Sequence, residues 1–437
     1  MKTPKASRTW IPVLVVLLSS TFVAAAPGAG GASWPQFRGP NRDGLSSETG
    51  LLDKWPEGGP KLLWTAEGAG GGYSSVAILR GRFYTMGAIG DDEFVFAYDL
   101  ANGKQVWKQR NGARYDNDRG YGPRGTPTVE GDVLYALGAN GNLSCRHLKN
   151  GEPVWQRDVL KEFGGSNISW GLSESVLVHG NKVICMPGGP DASIVAVNKK
   201  DGSTIWQSKG LSHRAGYSSA VPFGVGDVEG IAHFTHQALV GLDAKTGKTL
   251  WEFPRVANGT ANAANPVVHG KHVFGTSNYG QGCGLVELSS DDKGGVAMKE
   301  VYFNKKMQNH HGGVVLVDGT IYGSTGNSGR GLKLVALDLL TGKELWNHKS
   351  VGKASLVYAD GHLYCLSING VMGLVEVNSK KYVEKSRFVF KDYNGKFKTG
   401  GIQPNDEKPT WTHPVIAGKK LFLRDQDRIF CYDIAAK

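Results

Sequence analysis

The feature that most constrains this 437-residue chain is a strand–turn–strand unit ending on tryptophan, which occurs five times. Its clearest copy, LVGLDAKTGKTLW, spans residues 239–251. Asp243 opens a tight polar turn and Gly247 supplies the positive φ that lets the chain reverse within a few residues. The other copies are VFAYDLANGKQVW, LSCRHLKNGEPVW, IVAVNKKDGSTIW and LVALDLLTGKELW, ending at Trp107, Trp155, Trp206 and Trp346. In all five the glycine stands four residues before the tryptophan: Gly103, Gly151, Gly202, Gly247 and Gly342. Successive glycines lie 48, 51, 45 and 95 residues apart, so the last gap holds two periods. Worn copies occupy residues 284–303 and 373–390. An isolated hairpin of this kind is barely stable, and a period in the forties with strand character throughout means a propeller or a solenoid.

A second recurring element fixes the count. A small residue, an apolar pair, a turn glycine and an apolar strand recur in YSSVAILRGRFYTMG, GTPTVEGDVLYALG and six further places, eight in all. The turn glycines are Gly81, Gly131, Gly180, Gly230 (or Gly226), Gly270, Gly319, Gly361 and Gly418. Each reads as the hairpin joining the two inner strands of a blade. Asn140-Gly141 and Asn369-Gly370 have the composition of turns into a third strand, and the TGK-type turn leads to a fourth. The eighth inner hairpin is followed by RIFCYDIAAK with no fourth strand, while GPKLLW near the start carries Trp64 with no strands before it. Joining the two completes a blade and removes the open sheet edges. The expected fold is therefore all-β: an eight-bladed β-propeller of four-stranded antiparallel blades, closed by pairing of N- and C-terminal strands.

Residues 1–25 read as a signal peptide, with Lys2, Lys5 and Arg8 before an apolar run and cleavage expected after Ala25. No cysteine follows, so lipid anchoring is not expected, and the mature chain is expected to be exported, periplasmic or secreted, without a transmembrane segment. Residues 26–58 form an extended strap in which Trp34, Phe37 and Leu45 act as apolar anchors. A ligand-contacting flap using Arg38 or Arg42 is the other reading of that stretch. Residues 59–437 form the propeller. The five cysteines are scattered singly inside apolar patterns with no CxxC spacing, which makes them buried small hydrophobes. The formal charge of +11 is spread over solvent-facing turns such as Lys104, Lys245, Lys248 and Lys343, the pattern of a solvated surface and not of a nucleic-acid face.

The xxALDxxTGKxxW pattern at this period resembles the pyrroloquinoline quinone (PQQ) repeat superfamily. That superfamily includes quinoprotein alcohol dehydrogenases and the propeller lipoprotein of outer-membrane barrel assembly. The WPQFRGPNRDG opening is similar to that of exported bacterial PQQ-like propellers. The resemblance implies that Trp64, Trp107, Trp155, Trp206, Trp251 and Trp346 dock neighbouring blades. For an enzyme of this family it would imply a quinone stacked on a tryptophan, a pair of adjacent cysteines above it, Ca²⁺ held by Glu, Asn and Asp, and an Asp base. No two cysteines are adjacent here. The chain also lacks the long insertions that build the dehydrogenase mouth.

Residues just before each innermost strand should line one mouth of the ring. These are Arg119, Tyr121 and Arg124; Trp170; Tyr217; Asn262 and Asn265; Asn309, His310 and His311; and Trp411 with His413. Arg124 is suited to a carboxylate or carbonyl, and Trp170 or Trp411 to a flat ring or sugar face. No metal site is expected: His310 and His311 are neighbours that point to opposite faces of a strand. The sequence reading is an exported, monomeric PQQ-like propeller that binds or scaffolds an envelope protein, glycan or small molecule. The alternatives are a reduced quinoprotein oxidoreductase using PQQ and Ca²⁺, and a glycan- or peptide-recognition propeller. Catalytic residues are not assigned.

Overall fold

The computed structural model describes residues 32–291, 295–327, 330–389 and 410–436. The segment expected to be a signal peptide, residues 1–25, and the first residues of the expected strap lie outside them. The described chain forms eight antiparallel four-stranded sheets. The fourth blade is representative, with strands Val221–Val225, Val228–Phe234, Leu239–Asp243 and Thr249–Phe253. Its inner hairpin turns at Gly226 (φ 56°), while Gly230 lies within a strand opposite Phe223. The eighth blade is closed by the strand Lys61–Ala66, which pairs with Arg428–Asp433.

In every blade the pairing of the third and fourth strands contains a bulge just before the tryptophan position. A bulge re-aims the side chains around it. Here it turns the indole inward while the preceding apolar residue, such as Val106, Val154 or Ile205, faces solvent. The buried indole then reaches the next blade. Trp107, Trp155 and Trp206 donate Nε1–H to the carbonyls of Leu148, Lys199 and Ala244 at 3.0, 3.1 and 3.1 Å. Trp346 donates to Asn378 at 2.6 Å.

The turn glycines have a second role in this docking. A Cβ on Gly103, Gly151, Gly202 or Gly247 would lie 2.5–2.9 Å from the ring of the tryptophan one blade earlier. In the fifth blade Tyr302 replaces tryptophan, lying over Gly342 and donating its hydroxyl to Leu339 O at 2.9 Å. Trp64 instead stacks on Phe83, and among the described residues neither its indole nitrogen nor that of Trp251 has an acceptor.

Arg424 secures the closing blade. It is fully buried and donates to the backbone carbonyls of Gly70, Ser74, Met86 and Gln426 at 3.0, 2.9, 2.6 and 2.9 Å. All five cysteines are buried and unpaired.

The strap crosses the ring. Trp34 bridges to Ile78 in the first blade, Pro35 O accepts from Val129 N in the second, and Leu45 bridges to Tyr358 in the seventh. Arg42 donates to Ser175 O and Val176 O at 2.5 and 3.1 Å, and Arg38 donates to Val314 O. Both arginines are buried, so they form a plug and not the ligand-contacting flap considered from sequence. Strand alternation puts the inner hairpin turns and the TGK turns on this strapped face. The loops that enter each innermost strand lie on the opposite face.

Candidate functional site: a funnel with cations and aromatics in its wall

On that opposite face the entering loops surround a cavity of about 310 Å³. Eight of the twelve residues expected there line it: Arg119, Arg124, Trp170, Tyr217, His310, His311, Trp411 and His413. They converge because each lies in a loop that drops into an innermost strand; His310 and His311, expected to point to opposite faces of a strand, stand together in such a loop with ring centroids 4.7 Å apart and both line the cavity. Phe37 of the strap contributes to the wall from beneath, edge-on to His413 with ring centroids 4.9 Å apart.

The other four lie outside the lining, each with a local reason. Tyr121 packs its ring over Gly71 and under the Arg114 guanidinium. Asn262 donates to Thr235 O and His236 O at 3.0 and 2.9 Å, and accepts from Asn258 N. Asn309 donates to Gly313 O and Ser324 O at 3.1 and 2.9 Å. Asn265 accepts from Ser219 N at 3.0 Å. That bond ends a run of side-chain links around the axis, in which Ser75, Thr126 and Ser175 donate N–H to the hydroxyls of Thr126, Ser175 and Ser219. A buried amide prefers such fixed partners, so three of the four residues tie loops together.

Two aromatic groups face the cavity. Trp170 and Tyr217, from the loops entering the third and fourth blades, have centroids 5.7 Å apart. Tyr73 and Trp411, entering the first and eighth, are 5.0 Å apart, and His311 packs on Trp411 at 5.0 Å. Tyr73, Lys353, Tyr279, Ser173, Ser175 and Ser219 are lining residues that the sequence reading did not name.

The charge on the wall is of one sign. Arg119, Arg124 and Lys353 line the cavity, and among the described residues no carboxylate does. Arg124 lies over the rings of Tyr73 and Tyr115 at 5.8 and 5.1 Å and donates to Gly120 O and Gly122 O. Burial lowers its pKa, opposed by Tyr73 and Glu93. Burial brings Lys353 down to about 8. It holds His310 and His413 near 3 and His311 well below its ordinary value, so the three imidazoles are neutral. His310 Nε2 meets Tyr279 Oη at 2.8 Å, and His413 Nε2 donates to His311 O at 3.0 Å. Both nitrogens of His311 and Trp411 Nε1 are buried without a partner among the described residues.

Outside the funnel, Ser218 Oγ, His233 and Glu174 stand in the order of a nucleophile, base and acid. Ser218 Oγ is 3.4 Å from His233 Nδ1, and His233 Nε2 is 3.0 Å from Glu174 Oε1. The group is sealed in the core, with exposures of 0, 0 and 2%. Ser218 Oγ also accepts from Phe234 N and donates to Phe234 O. This is an inter-blade staple that no substrate reaches.

The family model described as outer membrane protein assembly factor BamB matches residues 47–175 and 92–348. The chain is 27% identical over 199 residues to outer membrane protein assembly factor BamB of Kangiella koreensis, covering 42% of this chain and 43% of that protein. The match thus spans less than half the length of that relative. Among solved structures, BamB from Moraxella catarrhalis aligns over 82% of this chain and 94% of its own, with 15% identity and a TM-score of 0.56. Quinohemoprotein alcohol dehydrogenase from Comamonas testosteroni aligns over 93% and 81%, with 12% identity and a TM-score of 0.58. At these identities the structural likeness is one of fold.

Proposed function

Because the chain belongs to the PQQ-like propeller family whose model is described as outer membrane protein assembly factor BamB, we propose that it is an exported envelope protein that binds or scaffolds through its funnel mouth. The observation that carries this reading is the convergence of eight loop-borne polar and aromatic residues on one cavity. A ring closed by the Lys61–Ala66 strand and plugged by the strap is a rigid frame for such loops. No helix among the described residues is long and apolar enough to cross a membrane.

The quinoprotein alternative fits poorly. Its Ca²⁺ is held by oxygen ligands that include carboxylates, and the described lining offers no carboxylate. A flat ring has stacking partners in Trp170 and Tyr217, but among the described lining residues the metal that would polarise it has no carboxylate ligand. Titrating the purified mature protein with PQQ and Ca²⁺, with dye reduction followed over a panel of alcohols and sugars, separates the readings. The binding reading expects no Ca²⁺-dependent quinone binding and no reduction. Saturable binding with substrate-dependent reduction would replace it with the enzymatic one.

A further inference from the structure

Lys353 takes the funnel beyond the proposed binding role while depending on it. It stands at the entrance to the innermost strand of the seventh blade, Ala354–Ala359. Its backbone is fixed there, with Lys353 O accepting from Ile368 N at 3.0 Å. The residue lines the cavity and is only 8% exposed. Among the described residues its amine has no hydrogen-bond or ion-pair partner. Trp411 Nε1 and both His311 nitrogens are sealed in the wall, whereas Lys353 Nζ is open to the cavity. Buried lysines are almost always paired. Here the described lining holds no carboxylate, and its other charges, Arg119 and Arg124, are of the same sign. The Lys353 charge adds to burial in holding His310 and His311 neutral. An ammonium in this wall is costly, so the neutral amine is favoured. Burial brings the amine to about 8 from the ordinary 10.5, which near neutral pH leaves on the order of a hundredfold more free amine than an exposed lysine has. A desolvated free amine is a nucleophile toward carbonyl carbon.

We propose that Lys353 captures a small apolar aldehyde in the funnel as an imine. The amine nitrogen forms a bond to the carbonyl carbon, the carbonyl π pair moves to oxygen, and a nitrogen proton passes to that oxygen through water. The nitrogen lone pair of the carbinolamine then expels hydroxide, which takes the remaining nitrogen proton and leaves as water. Amine plus aldehyde gives imine plus water, with no oxidant or reductant. The neutral imine needs no counter-ion, which suits a wall without carboxylates. An anion would instead hold Lys353 as ammonium, but the cations that would share it are engaged: Arg124 donates to Gly120 O and Gly122 O, and Arg119 pairs with Asp118 at 3.3 Å. The cavity of about 310 Å³ lies at the small end of ligand pockets, and its aromatic walls suit a short hydrocarbon chain. A reducing sugar is mostly ring-closed, and its hydroxyls would go unpaired against those walls.

The test is reductive trapping. The purified protein is incubated with hexanal and cyanoborohydride near neutral pH, and the alkylated lysines are identified by peptide mass mapping. Lys353 is expected to be labelled about tenfold or more faster than the exposed Lys104 and Lys245. Its rate should saturate with hexanal concentration, while theirs rises in proportion. Its advantage over Lys104 should shrink about tenfold or more between pH 7 and 9.5, as the exposed amines lose their protons. Glucose should label Lys353 no faster than Lys104. Lys353→Arg keeps the charge and removes the nucleophile, so the fast saturable labelling should vanish with surface labelling unchanged. Labelling of Lys353 no faster than Lys104, or a rate that rises in proportion to hexanal, overturns the proposal, and both are read on the parent protein whether or not the variant folds. If Lys353 proves unreactive while a cross-linking residue at position 170 still captures envelope proteins, this inference falls and the funnel reading stands. If Lys353 is unreactive and position 170 is silent too, both fall.

Discussion

The indole of Trp206 rests on Gly247 of the following blade: a Cβ there would lie 2.5 Å from Cε3, and the same indole donates Nε1–H to Ala244 O at 3.1 Å. The glycine that starts one outer strand is thus the seat for the tryptophan of the strand before it. The recurrent spacing of glycine and tryptophan is an inter-blade lock repeated around the ring.

This pairing separates backbone strain from packing. Gly81 and Gly247 have nearly the same φ, 74° and 72°, but a Cβ on Gly81 meets nothing within 4 Å. Gly81→Ala should cost only the left-handed strain, roughly 1–2 kcal/mol. Gly247→Ala adds overpacking against the indole and should cost roughly 1–3 kcal/mol more. Denaturant midpoints at equal slope provide the comparison, and equal losses at the two sites would refute the lock.

Trp107→Ala and Trp206→Ala should each destabilise by roughly 3–5 kcal/mol, as for other buried aromatic truncations. Trp251→Ala should lie at the low end, because its indole nitrogen has no acceptor to lose. Equilibrium unfolding of the three variants checks the ranking.

Arg424→Met should be among the most damaging single changes at the closing seam. It leaves the carbonyls of Ser74, Met86 and Gly70 without their buried donor. Each unsatisfied group costs about 1–3 kcal/mol. Limited proteolysis should show early cutting near the Lys61–Ala66 strand, and protection equal to the parent protein would contradict this.

Most of the fold was legible because its signals are local. Gly81, Gly247 and their counterparts mark turns through a backbone requirement, and Trp107 or Trp206 marks the strand that follows. The bulge that turns Val106 outward was not legible, since register depends on the partner strand. In the funnel, Arg124, Trp170 and Trp411, named for their position before an innermost strand, line the cavity. The same rule applies to Tyr73 and Lys353, which stand just before SSVAIL and ASLVYA. Phe37 was hidden because it reaches the cavity from the strap. Asn262 and Asn309 occupy the right loops, but sequence does not show that their amides are engaged by nearby carbonyls.

Acid should destabilise the funnel wall. Burial lowers the folded pKa of His310 and His413 to about 3, and holds that of His311 well below its ordinary value of 6.5. Between those values the unfolded chain binds more protons, so stability falls as pH drops from 6.5 toward 3. Glu93 acts oppositely. Its burial raises the carboxyl from 4.5 to about 7, so its contribution weakens as pH rises across that window. Three groups outweigh one, and a net loss in acid is expected. Thermal melts from pH 7 to 4 should show it, with a smaller loss in His310→Gln. A flat profile would mean that the imidazoles protonate without cost.

The measurement that tests the central claim most directly is site-specific photo-cross-linking in the native envelope. A cross-linking residue would be placed at Trp170 on the funnel mouth or at Lys343 on the strapped face. The account expects discrete adducts with envelope proteins from position 170, lost on adding Trp411→Ala, and none from position 343. Adducts only from position 343, or none from position 170, would contradict a protein that works through its funnel.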